Sequence, residues 1–317
     1  MNKIFRYISQ QMNQMGKMYN KCSLAGKVLL LTVLLILVMV IFKGNKTIKE
    51  GFEQEDQFLF KTNEEVYDDF YAEIYDYLVY NTIKNQYEIG QIVNKTTPDS
   101  ESIILDIGCG TGHHVAELSA QNLNVVGIDI SPSMIAKAKE NYPEYNFKQA
   151  DVLESKIFDH NSFTHIMCLY FTIYYLKDKT LFFHNCMEWL MPGGYLVIHL
   201  VDREQFDPIL PPGNPLMIVS PQRYAKKRIT STKVKFTDFS YSADFRLNPG
   251  ENTGRFVEKF KNDTNGKVRK NEHLFYMESQ KDILIMAQNE GFILEGQIDL
   301  VKSQYEYQYL YVLVKPS

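Results

Sequence analysis

Apolar and polar positions along this chain fall into distinct textures. From Val28 to Phe42, fifteen residues are interrupted only by Thr32, and extension back to Leu24 gives nineteen, with Lys27 placed to snorkel. At about 1.5 Å per residue the run covers roughly 28 Å, close to the thickness of a hydrocarbon bilayer core. A core helix would carry a polar stripe, and this run has none. A cleaved leader fits less well, because Lys43, Gly44, Asn45 and Lys46 offer no small-x-small cleavage site. The pattern predicts a basic segment over 1–23, a transmembrane helix over 24–42, a linker over 43–63 and a folded domain over 64–317.

Within that domain, short apolar runs alternate with helical patterns. Strands are predicted over 102–107, 124–128, 163–170 and 195–201. Helices are predicted over 115–120, after Ser131 as N-cap to about 140, and over 179–190. Pro192-Gly193-Gly194 reads as the turn into the last of these strands. Such alternation implies an α/β fold with a parallel sheet covered by helices on both faces. Beyond Val201 the texture becomes β-rich, over 233–245, 256–262 and 268–276, with Asn265-Gly266 as a hairpin turn between the last two. A helix over 279–289 and two strands, 292–300 and 305–314, close the chain. The 203–278 stretch reads as a substrate-side loop and antiparallel β insertion, not as an independent domain.

Composition narrows the classes. With 45% apolar, 13% aromatic and 23% charged residues in 317, the chain can bury a core, so global disorder and collagen are excluded. The net charge of −4 is uneven: residues 1–49 hold eight Lys/Arg and no acid, leaving −12 on the remainder. That balance argues against a nucleic-acid partner. The four cysteines form no CxxC pair and have no histidine at ligand spacing, so neither a metal centre nor a disulfide framework is expected, and a reducing compartment fits.

The chemistry sits in Leu105-Asp106-Ile107-Gly108-Cys109-Gly110-Thr111-Gly112. Alternate glycines let the backbone turn sharply from strand to helix and let a ligand approach closely. A dinucleotide fingerprint would need its third glycine where His113 stands, and Asp106 turns the reading away from NAD. Asp106 can accept from a ligand's ammonium group. Asp129, closing the next strand, can take both hydroxyls of a ribose, and Asp151 can accept an adenine's amine. The ordered set describes a ligand with an amino-acid end, a ribose and an adenine.

Here the chain resembles the class I S-adenosylmethionine-dependent methyltransferases, on Leu105 to Gly112 and on Leu190-Met191-Pro192-Gly193-Gly194. The resemblance implies a Rossmann-like sheet, mostly parallel with an antiparallel last strand, and S-adenosyl-L-methionine as cofactor. It places Asp106, Gly108, Cys109, Gly110, Asp129, Ile130, Met134, Asp151, Val152 and Cys168 in the cofactor pocket, with Ser131 beside the ribose and adenine. Within the superfamily the segments Tyr67–Asp76 and Cys168–Leu176 are similar to small-molecule N-methyltransferases, including those acting on nucleotide-linked amino sugars. By that likeness Tyr67 and Tyr175 are the catalytic candidates, with Tyr71 and Tyr174 joining them in an aromatic wall suited to a cationic methyl donor. Tyr175 stands where relatives sometimes carry a histidine base.

The expected protein is a single-pass membrane methyltransferase with its domain in the cytosol, acting at nitrogen or oxygen of a small-molecule or lipid acceptor. The other reading is a catalytically inactive module of the same fold on a membrane. Arg223, Lys226, Lys227, Arg228, Lys233 and Lys235 lie in a stretch without acids. They read as a solvated loop, a contact to substrate phosphate or a contact to anionic headgroups.

Overall fold

The computed structural model describes residues 56–210, 225–237 and 239–317, with the single positions Ser23, Lys27 and Gln222. The expected membrane span lies outside these residues apart from Lys27, as does the basic segment apart from Ser23. Among the described residues no helix is long and apolar enough to cross a membrane.

A seven-stranded sheet organises one half of the unit that spans Gly51–Ser317. Its strands are β2 (Ile103–Ile107), β3 (Asn124–Asp129), β4 (Asn146–Gln149), β5 (Phe163–Cys168), β6 (Leu190–Val201), β11 (Ile293–Asp299) and β12 (Gln308–Val314). They run in the order β11-β12-β6-β5-β2-β3-β4. β2 to β6 pair in parallel, whereas β12 is antiparallel to both neighbours. The sheet is buried on both sides, so β2 reads as a continuous apolar run except for Asp106. Strand alternation divides its side chains. Leu105 and Ile107 join the core containing Phe182, Phe183 and Trp189, and Ile104 joins the core containing Ile89, Val115 and Leu118. Asp106 shares the Ile104 face by this alternation.

Seven helices appear among the described residues: α1 (Asp69–Leu78), α2 (Thr82–Thr96), α3 (His113–Ser119), α4 (Pro132–Asn141), α5 (Thr172–Tyr175), α6 (Lys179–Trp189) and α7 (Gln280–Asn289). Ser131 caps α4, with Pro132 opening the helix, and Ser279 caps α7. Neither α1 nor α2 is among the predicted helices. α1 does carry an apolar stripe, Tyr71, Ala72, Ile74 and Leu78, whereas α2 buries Lys84, Asn85 and Glu88 where an amphipathic helix would carry apolar residues.

The β-rich stretch forms a second sheet of five strands, β1-β10-β9-β8-β7. It comprises β7 (Ser231–Lys235), β8 (Phe239–Asn248), β9 (Thr253–Asn262) and β10 (Val268–Tyr276), all antiparallel neighbours. The insertion is not self-contained. β1 (Phe58–Thr62), within the stretch read as linker, adds to its edge parallel to β10. β1 carries the exposed Phe58 and Phe60 and follows an acidic run, which masks its strand character in the sequence. The Pro192-Gly193-Gly194 turn lies inside the range of β6, where the register with β5 slips between Phe163 and His165 and Gly193 adopts φ +76°.

Candidate active site

A cavity of about 300 Å³ is lined by residues from the ends of β2 and β3, from the turn after β5, from α1, and from the inner face of the second sheet. Its floor is the glycine turn. The Gly108 and Cys109 N–H groups both donate to the Ile128 carbonyl oxygen, at 2.8 and 2.9 Å, which ties the turn to β3. Gly108, Gly110 and Gly112 have φ of +70°, +54° and +92°, a region that strains other residues. A side chain at Gly108 would collide with Thr172, and one at Gly112 would meet the Phe147 ring at 2.8 Å. At Gly110 the nearest atom would be Tyr75 at 3.7 Å, an ordinary contact, so a methyl group there would meet no clash.

Asp129 receives the Gly110 N–H on Oδ2 at 3.1 Å and the Ser131 N–H on Oδ1 at 2.9 Å. Burial nevertheless raises its carboxyl to about 6, outweighing those two donors. Asp106 is buried behind the turn, and its Oδ2 has no hydrogen-bond partner within the protein. Burial raises it to about 6 as well; His114 opposes the rise, and the Asp129 and Glu88 charges add to it. Asp151 accepts the Leu153 N–H at 2.9 Å, and the Val152 carbonyl accepts from Asn185 at 2.9 Å.

The sequence candidates distribute as follows. Tyr67, Tyr175, Gly108, Cys109, Gly110, Asp129, Ile130, Met134, Asp151 and Val152 all line the cavity. Asp106 and Cys168 do not. Asp106 lies one residue before the lining, and Cys168 is buried beside Ile107, with its thiol pushed up by burial. Tyr174 also turns away, into the core, where its hydroxyl accepts the Val201 N–H at 2.8 Å. His113 and His114 both line the cavity. His113 stacks on Tyr80 at 3.7 Å and pairs with Asp76, and His114 lies 3.6 Å from Glu88.

The opposite wall is aromatic. Tyr67 packs edge-on against Tyr71 at 5.4 Å and Tyr175 at 5.8 Å, and Tyr75 lies 6.4 Å away. His273 of β10 completes this wall. Sequence reasoning missed it, and missed Glu258 behind it. Both occupy the inward frame of strands whose other inward positions include Phe256, Phe260 and Phe275. On β9 the available signal was a charged residue in an otherwise apolar period-two frame, whereas the inward frame of β10 is Arg269, Asn271, His273 and Phe275 and carries no such contrast. Arg228 of the basic stretch is turned inward, stacking over Phe206 and donating to the Phe206 and Arg203 carbonyls. Lys226, Lys227, Lys233 and Lys235 remain exposed. Among the described residues no cluster of His, Cys, Asp or Glu could hold a metal ion.

This architecture is the class I S-adenosylmethionine-dependent methyltransferase fold, an enzyme fold, and residues 104–194 match the methyltransferase domain family. Among relatives, the chain is 32% identical over 127 residues to a ubiquinone biosynthesis O-methyltransferase from Rickettsia canadensis, covering 39% of this chain and 52% of that protein. It is 32% identical over 114 residues to the dTDP-4-amino-2,3,4,6-tetradeoxy-D-glucose N,N-dimethyltransferase of Saccharopolyspora spinosa, covering 35% and 45%. The chain spans about half the length of these curated relatives. Among solved structures, the CcbJ methyltransferase of Streptomyces caelestis aligns with TM-score 0.61 at 14% identity, over 80% of this chain and all of that one. DesVI of Streptomyces venezuelae aligns with TM-score 0.52 at 19% identity, over 74% and 91%.

The residues present fit the cofactor of this fold class. The unpartnered buried Asp106 oxygen suits an ammonium group, and Gly110, lining the cavity without a side chain, lets a ligand approach the backbone.

Proposed function

We propose that the chain is an S-adenosyl-L-methionine-dependent methyltransferase acting on a small-molecule acceptor, with an amine nitrogen as the favoured atom. One observation carries this reading: the glycine turn, Asp129 and the Tyr67–Tyr175 wall line a single cavity, with the unsatisfied Asp106 carboxylate directly behind the turn. When bound, the cofactor supplies a methyl group already activated as a sulfonium. Asp106 would hold its ammonium end, Asp129 its ribose hydroxyls, and Asp151 with Val152 its adenine. The tyrosine rings give the cationic centre an electron-rich wall and keep water out, so the protein's main task is to align the acceptor. The amino-sugar acceptor in the Saccharopolyspora relative's name supports nitrogen and a nucleotide-linked amino sugar as the first substrate to try.

The apolar run over 24–42 supports a further element of the proposal, a single-pass anchor that holds the domain on the cytosolic side of a membrane, within reach of lipid or membrane-associated acceptors. Carbonate extraction and protease protection of the full chain test it; release into the supernatant would remove the anchor.

Calorimetric titration with S-adenosylhomocysteine tests the core reading. Micromolar binding is expected, followed by label transfer from the methyl donor to a dTDP-linked amino sugar. No binding at millimolar ligand would favour an inactive interaction module of the same fold.

A further inference from the structure

Behind the aromatic wall lies a continuous hydrogen-bonded chain. The Tyr67 and Tyr175 hydroxyls are 2.7 Å apart, the Tyr175 hydroxyl is 2.6 Å from His273 Nδ1, and His273 Nε2 is 3.0 Å from Glu258 Oε2. Glu258 is fully buried, and its other oxygen accepts from the Tyr241 hydroxyl at 2.7 Å. Tyr67, Tyr175 and His273 line the cavity, whereas Glu258 lies behind them.

The direction of this chain follows from the inventory of donors. A carboxylate only accepts, so His273 Nε2 carries the hydrogen and a neutral ring presents a lone pair at Nδ1. Tyr175 therefore donates to His273, and Tyr67 donates to Tyr175. The outward lone pair of the Tyr67 oxygen is then left to accept a proton from the cavity. Burial acting alone would raise Glu258, but His273, Tyr241 and Tyr71 together hold it below the usual carboxylate range, so it stays charged. Burial likewise keeps Tyr67 and Tyr175 well above the usual phenol range, so neither stores a negative charge itself.

We propose that His273 and Glu258, acting through Tyr175 and Tyr67, form a proton relay that removes the hydrogen of an acceptor N–H or O–H during methyl transfer. This rests on the methyltransferase reading. The acceptor's lone pair forms the bond to the methyl carbon, and the electron pair of the broken C–S bond stays on sulfur. The acceptor's proton goes to the Tyr67 oxygen, the Tyr67 proton to Tyr175, and the Tyr175 proton to His273 Nδ1. The resulting imidazolium is held by the Glu258 carboxylate. Tyr67 is the member that touches the acceptor; His273 and Glu258 act through it. The ionisable groups facing the imidazole are Glu258 on β9, Tyr175 on α5, Tyr71 on α1 and Tyr67 just ahead of it.

The test uses the full chain with ¹⁵N-labelled histidine in the presence of S-adenosylhomocysteine. The His273 resonances near neutral pH are expected to show a pyridine-type Nδ1 and a pyrrole-type Nε2. Glu258→Gln, which can donate as well as accept, is expected to abolish that single-tautomer signature. With labelled donor and a dTDP-linked amino sugar, Glu258→Gln is expected to lower kcat about ten- to a hundredfold while the KM for donor holds. A hydrogen on Nδ1 in the wild type, or an unchanged kcat in the variant, overturns the relay. If the wild type turns over no such sugar, the tautomer decides alone. If Glu258→Gln fails to fold, Tyr175→Phe replaces it and must shift the Nδ1 resonance. Failure of the wild type to bind S-adenosylhomocysteine is a separate result that counts against the methyltransferase reading.

Discussion

The Ser131 hydroxyl donates to the Tyr67 carbonyl oxygen at 2.6 Å while accepting the Met134 N–H at 3.1 Å. One side chain thus caps α4 beside the Asp129 turn and fixes the backbone of the leading aromatic candidate. From the other side, Arg269 of β10 donates to the Val66 carbonyl at 3.1 Å and pairs with Asp68 at 2.9 Å. Tyr67 is held between the two sheets, which is how a residue ahead of α1 comes to face both halves of the cavity.

Ser131→Ala removes the cap and the tether together. A lost N-cap costs about 0.5–2 kcal/mol, and the freed Tyr67 carbonyl puts the expected loss toward the upper end of that range. Urea denaturation measures it, and a loss within error of zero would mean the tether contributes nothing.

Gly108 and Gly110 share a left-handed backbone but differ in what surrounds them. Gly108→Ala drives a methyl group into Thr172 and should lower the melting temperature clearly. Gly110→Ala carries only the backbone strain of about 1–2 kcal/mol. It should fold, yet lose S-adenosylhomocysteine affinity, because its methyl group enters ligand space. Equal melting temperatures with equal affinities would contradict this contrast.

Most of the central sheet was legible because β2, β3, β5, β6 and β12 are apolar runs ended by turn chemistry, and because Ser131-Pro132 and Ser279 announce helices by capping; the edge strand β4 was not, since Asn146–Gln149 buries only Phe147. α1 was overlooked although Tyr71, Ile74 and Leu78 form a stripe, and α2 was not legible because Lys84, Asn85 and Glu88 occupy its buried positions, with Tyr170, Glu117 and His114 among their partners far along the chain. The three aspartates were found from spacing alone, but their differences were not. Only the fold shows that Asp129 is satisfied by two backbone donors while Asp106 is left with an unpartnered oxygen. His273 and Glu258 were hidden because their partnership crosses from β10 to β9 and then to α5.

Asp106 and Asp129 both rise from an ordinary 3.8 to about 6 in the folded chain. A raised folded-state acid binds its proton more tightly folded than unfolded. Its favourable contribution is therefore present in full below 3.8 and is lost as pH climbs through about 6. The stability of the ligand-free protein should accordingly decline over that window from these two groups. Affinity for S-adenosylhomocysteine should move the opposite way, since the ammonium and ribose need charged carboxylates. Between about pH 7 and about pH 5 the affinity should fall about tenfold or more. Calorimetry across the window checks this, and a flat affinity would remove both aspartates from ligand binding.

Lys84 and Glu88, one turn apart on α2, form a fully buried ion pair at 2.6 Å, with the ammonium also 3.5 Å from the centre of the Tyr170 ring. Burial lowers the lysine and works against the glutamate's charge, but the pairing, with His114 adding to it, holds Glu88 down to about 2. Glu88 therefore stays charged at neutral pH. Lys84→Met would strand the buried Glu88 carboxylate with only the imidazoles of His114 and His199 to offset it, at an expected cost of about 3–5 kcal/mol. Lys84→Met combined with Glu88→Leu removes both charges and should cost less than the single change, because desolvating two ions consumes most of what their attraction returns. A double-mutant cycle by chemical denaturation measures the difference. A double variant less stable than Lys84→Met would mean that Glu88 contributes through its hydrogen bonds independently of the lysine.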